Sequence, residues 1–213
     1  MSDKRLWITA ALCTVCILTL TARLPGAAPL TPPGGTLSAA GVIFPGGIEL
    51  DSVCHANVVS ANLVVNVASA VYESELGTLD FYYQVSNNSE HNWVHRVTAS
   101  NFVGFLTNID YVIDGVTIAC QACPGGFFQP GTQDPLTVDR DGFGEVAGFN
   151  FPTPDFEVDP GEASQVLMVR TDATAYDSGF VSVINSGTVT LSAFKPALAT
   201  TNRPRTKSKK PCA

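Results

Sequence analysis

The feature that most constrains this chain is alternation. In Leu79-Asp80-Phe81-Tyr82-Tyr83-Gln84-Val85 the apolar Leu79, Phe81, Tyr83 and Val85 fall on one face of an extended strand, with Asp80, Tyr82 and Gln84 on the other. Runs of similar character cover Trp93 to Ala99, Val146 to Phe151, Val166 to Thr171, Phe180 to Ile184 and Thr188 to Phe194. Val58 to Tyr72 is a longer β-branched stretch, read as one bent strand or two, with a partner around Ile48 to Cys54. Between the runs lie turn formers. Asn87-Asn88-Ser89 reads as a turn and Asn185-Ser186-Gly187 as a hairpin connection. The pattern predicts eight to ten strands at spacings of ~8–12 residues, which is the signature of an antiparallel β-sandwich with half-buried strands. A helical bundle is excluded, because no 3.6-residue period survives beyond the first 23 residues and helix-favouring Lys and Glu are scarce.

Segments flanking the strand region differ in composition. Lys4 and Arg5 precede an uncharged run from Leu6 to Ala22, followed by small residues, which is the layout of a secretory signal. The run is 17 residues long, at the short edge of the ~17–25 that span a bilayer, so a retained anchor is the competing reading. The expected organisation is therefore a signal helix over residues 1–23, cleaved between 22 and 28, and a Pro/Gly-rich linker over 24–47. A sandwich follows over 48–195, and a basic disordered tail over 196–213. Either reading of the first segment places the body outside the cytoplasm, as a secreted, periplasmic or cell-surface protein. Membrane contact is implied only where the first segment is retained.

Charge sharpens this division. Residues 24–202 carry four Lys/Arg against 18 Asp/Glu, a net of −14, whereas residues 203–213 carry five basic residues and no acidic one. An acidic body repels phosphate backbones, so the folded domain is not expected to bind nucleic acid. The basic tail is either a solvated end or an electrostatic attachment to anionic surfaces.

Export changes how the cysteines read. Cys13 and Cys16 lie in the signal, leaving Cys54, Cys120, Cys123 and Cys212. In an oxidising compartment the close pair Cys120 and Cys123 is a disulfide candidate, with free thiols or metal and redox work as alternatives. Pro124-Gly125-Gly126 directly after the pair forbids the helix that a thioredoxin-like motif needs.

Chemistry-bearing constellations are sparse. Asp139, Asp141 and Glu145 alternate beside Gly142 and Gly144 and form a candidate calcium set, since calcium is held by several carboxylate and carbonyl oxygens. They do not make an EF-hand loop, and the competing reading is a solvated acidic turn. His91 and His95 would lie about 13 Å apart on a strand at ~3.3 Å per residue, too far to share a metal. No Gly-x-Ser-x-Gly elbow or other nucleophile motif is present, so no catalytic residues are expected and the chain is read as non-enzymatic with no resident cofactor. Tyr82, Phe127 and Phe128 are the aromatics expected to be exposed, where rings can stack on sugars. Core packing is the competing fate of any aromatic. The expected partners are extracellular polysaccharide or envelope components.

Several stretches together resemble secreted bacterial β-sandwich proteins that often carry a C-terminal PEP-CTERM sorting signal. They are Leu76 to Asn87, Val97 to Phe105, Val138-Asp139-Arg140, Val146 to Phe151, Asp159-Pro160-Gly161-Glu162, Val169 to Thr174 and Gly179 to Thr188. The resemblance covers roughly residues 60–195 and implies an exported, matrix- or envelope-associated protein without assigning functional residues. It does not extend to the sorting signal: Lys195-Pro196 is followed by the basic run Arg203 to Lys210 and not by Pro-Glu-Pro and an apolar helix.

Overall fold

The computed structural model describes residues 34–60, 63–113 and 118–199. The expected signal segment, residues 24–33 of the expected linker, Cys212 and the basic run lie outside the described residues. Eleven strands are described: β1 (Thr36–Ser38), β2 (Ile48–Ser60), β3 (Leu63–Glu73), β4 (Leu79–Asn87), β5 (Arg96–Ser100) and β6 (Thr107–Val112). They continue with β7 (Thr137–Arg140), β8 (Val146–Asn150), β9 (Val166–Thr171), β10 (Ala175–Ile184) and β11 (Thr188–Ala197). A six-stranded sheet in the order β1-β7-β8-β5-β10-β11 faces a five-stranded sheet in the order β2-β3-β4-β9-β6, and every strand pair within them is antiparallel. The chain is an all-β, two-sheet antiparallel sandwich.

The inward faces interlock as the alternation requires. Leu79, Phe81, Tyr83 and Val85 of β4 meet Val97, Ala99, Phe149, Val181 and Val183 of the opposite sheet in one core cluster. Burying each large apolar side chain of this kind contributes about 1.5–3 kcal/mol. The Phe81 and Phe102 rings meet edge-on, 5.7 Å apart.

Two boundaries differ from the sequence reading. Residues 34–47 are not all linker, because Thr36–Ser38 pairs with β7 and Val42 bonds Tyr111 and Ile113 beside β6. Pro and Gly hide such a segment from a search for alternation, but its backbone groups still find sheet partners. At the far end β11 runs through Pro196 to Ala197, since an edge strand tolerates proline.

Segment 39–47 and the loop 118–129 lie across the outer face of the five-stranded sheet and form a third layer. Val42, Ile118, Cys120, Cys123 and Phe128 pack there on Ala68, Ala70, Tyr72, Tyr82, Val166 and Met168. Phe44 meets Tyr72 and Tyr82 edge-on, each at 5.7 Å.

The strand directions sort the connections into two ends. At one end lie the β3–β4 turn, the β5–β6 loop, the β7–β8 turn, the β9–β10 loop and the start of β2. Thr36 pairs with Asp139 and Ala197 with Ala175, so the described chain also begins and ends there. At the opposite end lie the β2–β3 and β10–β11 hairpins, the start of the β4–β5 loop and the connection after β8.

Candidate functional site

The loop end with both chain exits is organised by one side chain. Strand alternation turns Val138 and Arg140 of β7 inward, and Arg140 is 3% exposed. Its Nη2 donates to the carbonyls of Phe102 (2.8 Å), Phe105 (2.9 Å) and Gly144 (2.8 Å). Its Nε donates to Gly144 O at 3.1 Å. The Arg140 backbone N–H bonds Gly35 O, and a Cβ on Gly34 would lie 1.7 Å from Arg140 O, so only glycine fits at the entry of the chain. Further ties are Phe102 N–H to Glu145 O, Leu79 N–H to Ala173 O and Leu106 N–H to Asp172 Oδ1. The β5–β6 loop and the β7–β8 turn are thus fixed to one guanidinium, and the chain entry to the backbone of the same residue.

On this fixed frame the tips are apolar. Phe143 is 85% exposed, Leu76 84% and Leu198 81%, the three highest values among the exposed large hydrophobics described. Ile48, Val103 and Leu106 are exposed beside them. Among the described residues, the turn tips at the opposite end are Asn88, Glu90, His91, Ser186 and Gly187, all exposed. Val59, Trp93, Ile113 and Leu136 are the exposed large apolar residues described beside them.

The three candidate calcium residues are not brought together. Asp139 points outward on the six-stranded sheet, where Arg96 grips it twice, Nη1 to Oδ2 at 2.5 Å and Nη2 to Oδ1 at 2.7 Å, and Asn150 Nδ2 donates at 2.6 Å. Burial alone would raise the Asp139 pKa, but these hydrogen bonds and the Arg96 charge outweigh it and hold the carboxyl below its ordinary value. The pair lies over Gly148, whose hypothetical Cβ would be 2.3 Å from Arg96 Nη2. Asp141 instead caps its own turn, its Oδ1 accepting from Glu145 N (2.6 Å) and Val146 N (3.0 Å). Glu145 is exposed. Alternation and turn geometry therefore separate the three carboxylates, and no group of three or more His, Cys, Asp or Glu among the described residues is placed to hold a metal.

The aromatic expectation divides. Tyr82 does point away from the sandwich core, as its alternation predicts, yet it is 0% exposed because the third layer covers that face. Phe128 is buried under the same layer, so neither ring can stack on a ligand. Phe127 is 52% exposed at the rim of a cleft of about 40 Å³, lined also by Cys54, Asn66, Gln84, Ser86 and Gln129. That volume holds a few waters and not a sugar ring, so a glycan would lie on Phe127 and not inside. Gln84 is already engaged, donating to Gln129 O and Ser164 O and accepting from Gln129 N.

Cys120 and Cys123 form a disulfide that closes the turn through Gln121 and Ala122, directly before the 3-10 turn Pro124–Gly126. The loop is docked on β2 and β3: Tyr72 OH donates to Ala119 O at 2.5 Å, Gln121 N to Glu49 Oε1 and Ala122 N to Ser52 Oγ, each at 2.9 Å. Cys54 is a half-buried thiol on the same cleft, and burial raises its pKa, which weakens it as a nucleophile.

Two features escaped the sequence reading. One is Arg140, whose clamp role has no local signal beyond an arginine inside an inward-facing strand position. The other is Asp80, which faces the covered side with Arg170 Nε 3.5 Å from its Oδ2. Burial pushes its pKa up to about 6 against the lowering effect of Arg170. With Asp80 1% exposed, the pair acts within the fold.

No family model, curated protein or solved structure matches the chain. What the fold defines is a class: an antiparallel β-sandwich with a disulfide-closed outer layer and one apolar-tipped end.

Proposed function

We propose that this chain is an exported, non-catalytic β-sandwich with a structural or interaction role in the cell envelope or extracellular matrix. The observation that supports this reading best is the loop end, where Phe143, Leu76 and Leu198 stand exposed and where Arg140 ties the β7–β8 turn that carries Phe143 to the β5–β6 loop. Large apolar side chains more than four-fifths exposed at one end of a sandwich are candidates for contact. The uncharged run Leu6 to Ala22 behind Lys4 and Arg5 supplies the export route, and the close Cys120–Cys123 pair suits an oxidising compartment.

Cell fractionation with intact-mass measurement tests the reading. The expected result is a chain outside the cytoplasm, starting between residues 23 and 29, that takes up fewer alkyl groups before reduction than after. A cytoplasmic chain with all its thiols free would contradict it.

A second reading, carbohydrate binding, is favoured by Phe127, half-exposed beside the amide side chains of Asn66 and Gln129. Its test is a glycan array on which the parent binds and Phe127→Ala does not. An array on which the parent binds nothing contradicts it.

A further inference from the structure

Going beyond that reading and independent of it, we propose that Cys54, Cys120 and Cys123 form a thiol–disulfide exchange centre, in which Cys54 takes over the bond to Cys123 and releases Cys120 as the free thiol. The register of the covered outer face brings the three residues together. Val67 and Val71 of β3 point into the sandwich core, so Ala68 and Ala70 face outward, and their β2 partners Cys54 and Ser52 share that outer face. The disulfide loop runs along β2 in step with it. Gln121 N–H bonds Glu49 Oε1 and Ala122 N–H bonds Ser52 Oγ, which carries the next loop residue, Cys123, towards Cys54. Cys54 and Cys123 line the same cleft, and Cys54 packs against the apolar cluster that holds both disulfide cysteines. Cys120 is fully buried in that cluster and does not line the cleft.

The step needs no outside oxidant or reductant. Cys54 Sγ, as the thiolate, attacks Cys123 Sγ, so that the Cys54–Cys123 bond forms and the Cys120–Cys123 bond breaks. The electron pair leaves on Cys120 Sγ, which takes up the proton that Cys54 gave up. One thiol and one disulfide are present before and after. Cys123 is the sulfur attacked, because it is the one that meets Cys54 at the cleft. The rest of the lining is apolar or carries neutral amides and hydroxyls, among them Asn66, Gln84 and Gln129, so no positive charge there draws Cys54 into its thiolate form. Exchange is therefore slow at neutral pH and quickens as the thiol ionises. The product is a different kind of staple. The original bridge has a sequence separation of 3 and stays within one turn, whereas the exchanged one fixes the covering loop to β2. A bridge that closes a longer loop constrains the unfolded chain more, so the exchanged chain holds its third layer more firmly against unfolding.

The test uses the full chain with Cys13, Cys16 and Cys212 replaced by serine, which leaves the three cysteines of the centre. The oxidised chain is held folded at about pH 7 and at about pH 9, where thiols ionise, and is then quenched in acid. It is next unfolded in acid, labelled with N-ethylmaleimide and mapped by peptide mass spectrometry without reduction. At the start the label is expected on Cys54. After the alkaline incubation a Cys54–Cys123 linked peptide appears in monomeric chains, and the label on Cys120 rises several-fold. Cys54→Ser carries no label on Cys120 under either condition. Label that stays on Cys54, with Cys120–Cys123 as the one linked pair, would overturn the proposal. So would a Cys54–Cys120 link with the label on Cys123, which would move the attack to the other sulfur. Linked peptides confined to dimers would also overturn it, by making the exchange intermolecular. A chain incubated in urea supplies the last comparison: if the folded chain gives the same mixture of pairings as the unfolded one, the fold does not direct the exchange and the proposal falls.

Discussion

The two ends of the sandwich are built on the same device and finished differently. Each is held by one buried polar side chain that satisfies loop backbone groups. At the chain-exit end this is Arg140, donating to Phe102, Phe105 and Gly144 carbonyls. At the other it is Asn87, whose Nδ2 donates to Asn92 O (2.6 Å) and Val158 O (2.9 Å) while its Oδ1 accepts from Ser89 N (3.0 Å). Among the described tips, one end exposes Phe143 and Leu76, while the other offers Asn88, His91 and Ser186. Since the tip residues contribute little to packing, the fold does not require them to be apolar, and their chemistry is free to serve contact.

The strongest way to break this comparison is to remove the clamps. Arg140→Met leaves three carbonyls, two of them buried, short of a donor and is expected to cost about 4 kcal/mol in urea unfolding. Asn87→Ala strips three hydrogen bonds from a fully buried site and is expected to cost about 2–3 kcal/mol. Equal and negligible losses would show that the ends are not organised by these side chains.

A smaller effect sharpens the contrast between the core and the covered outer face. Asp80 has a folded-state pKa of about 6, above its ordinary 3.8, so the folded chain binds this proton more tightly than the unfolded one. Its contribution therefore favours folding increasingly as pH falls from about 7 towards 4. Asp139 has the opposite sign: its pKa is lowered, and the stability it provides is lost only as pH falls below the ordinary carboxylate range. Asp80→Asn is expected to stabilise the chain by about 2 kcal/mol at pH 7 and to flatten the dependence between pH 7 and 4 relative to the parent. An unchanged pH slope in the variant would contradict a buried, proton-binding Asp80.

The smallest effect on stability is at the tips. Phe143→Ser and Leu76→Ser are each expected to shift unfolding by less than about 0.5 kcal/mol, because both side chains are solvated in the free protein. A large loss from either would place it in the fold and not at a contact surface.

What was legible in the sequence follows physical range. Alternation is local, so β4 and β9 were read within a residue or two, and Asn185-Ser186-Gly187 does join β10 to β11. The side on which Tyr82 falls was also legible, but whether that side is wet depends on a third layer contributed by residues 39–47 and 118–129, which no local pattern reveals. β1, β6 and β7 were missed as strands: β1 and β7 span only three and four residues, and β6 pairs with β9, far along the chain. The acidic alternation around Asp139 was visible, but not that Arg96 and Asn150 from other strands would occupy it. Likewise the apolar tips are scattered between positions 48 and 198, and only the strand directions bring them to one end.

Hydroxyl-radical footprinting of the full chain, free and in its own envelope fraction, tests the central claim most directly. Protection concentrated at Phe143, Leu76 and Leu198, with Val59 and Phe127 oxidised as in the free chain, is the expected result. Protection at Phe127 with Phe143 and Leu76 still reactive would contradict it and move the contact surface to the disulfide-closed layer.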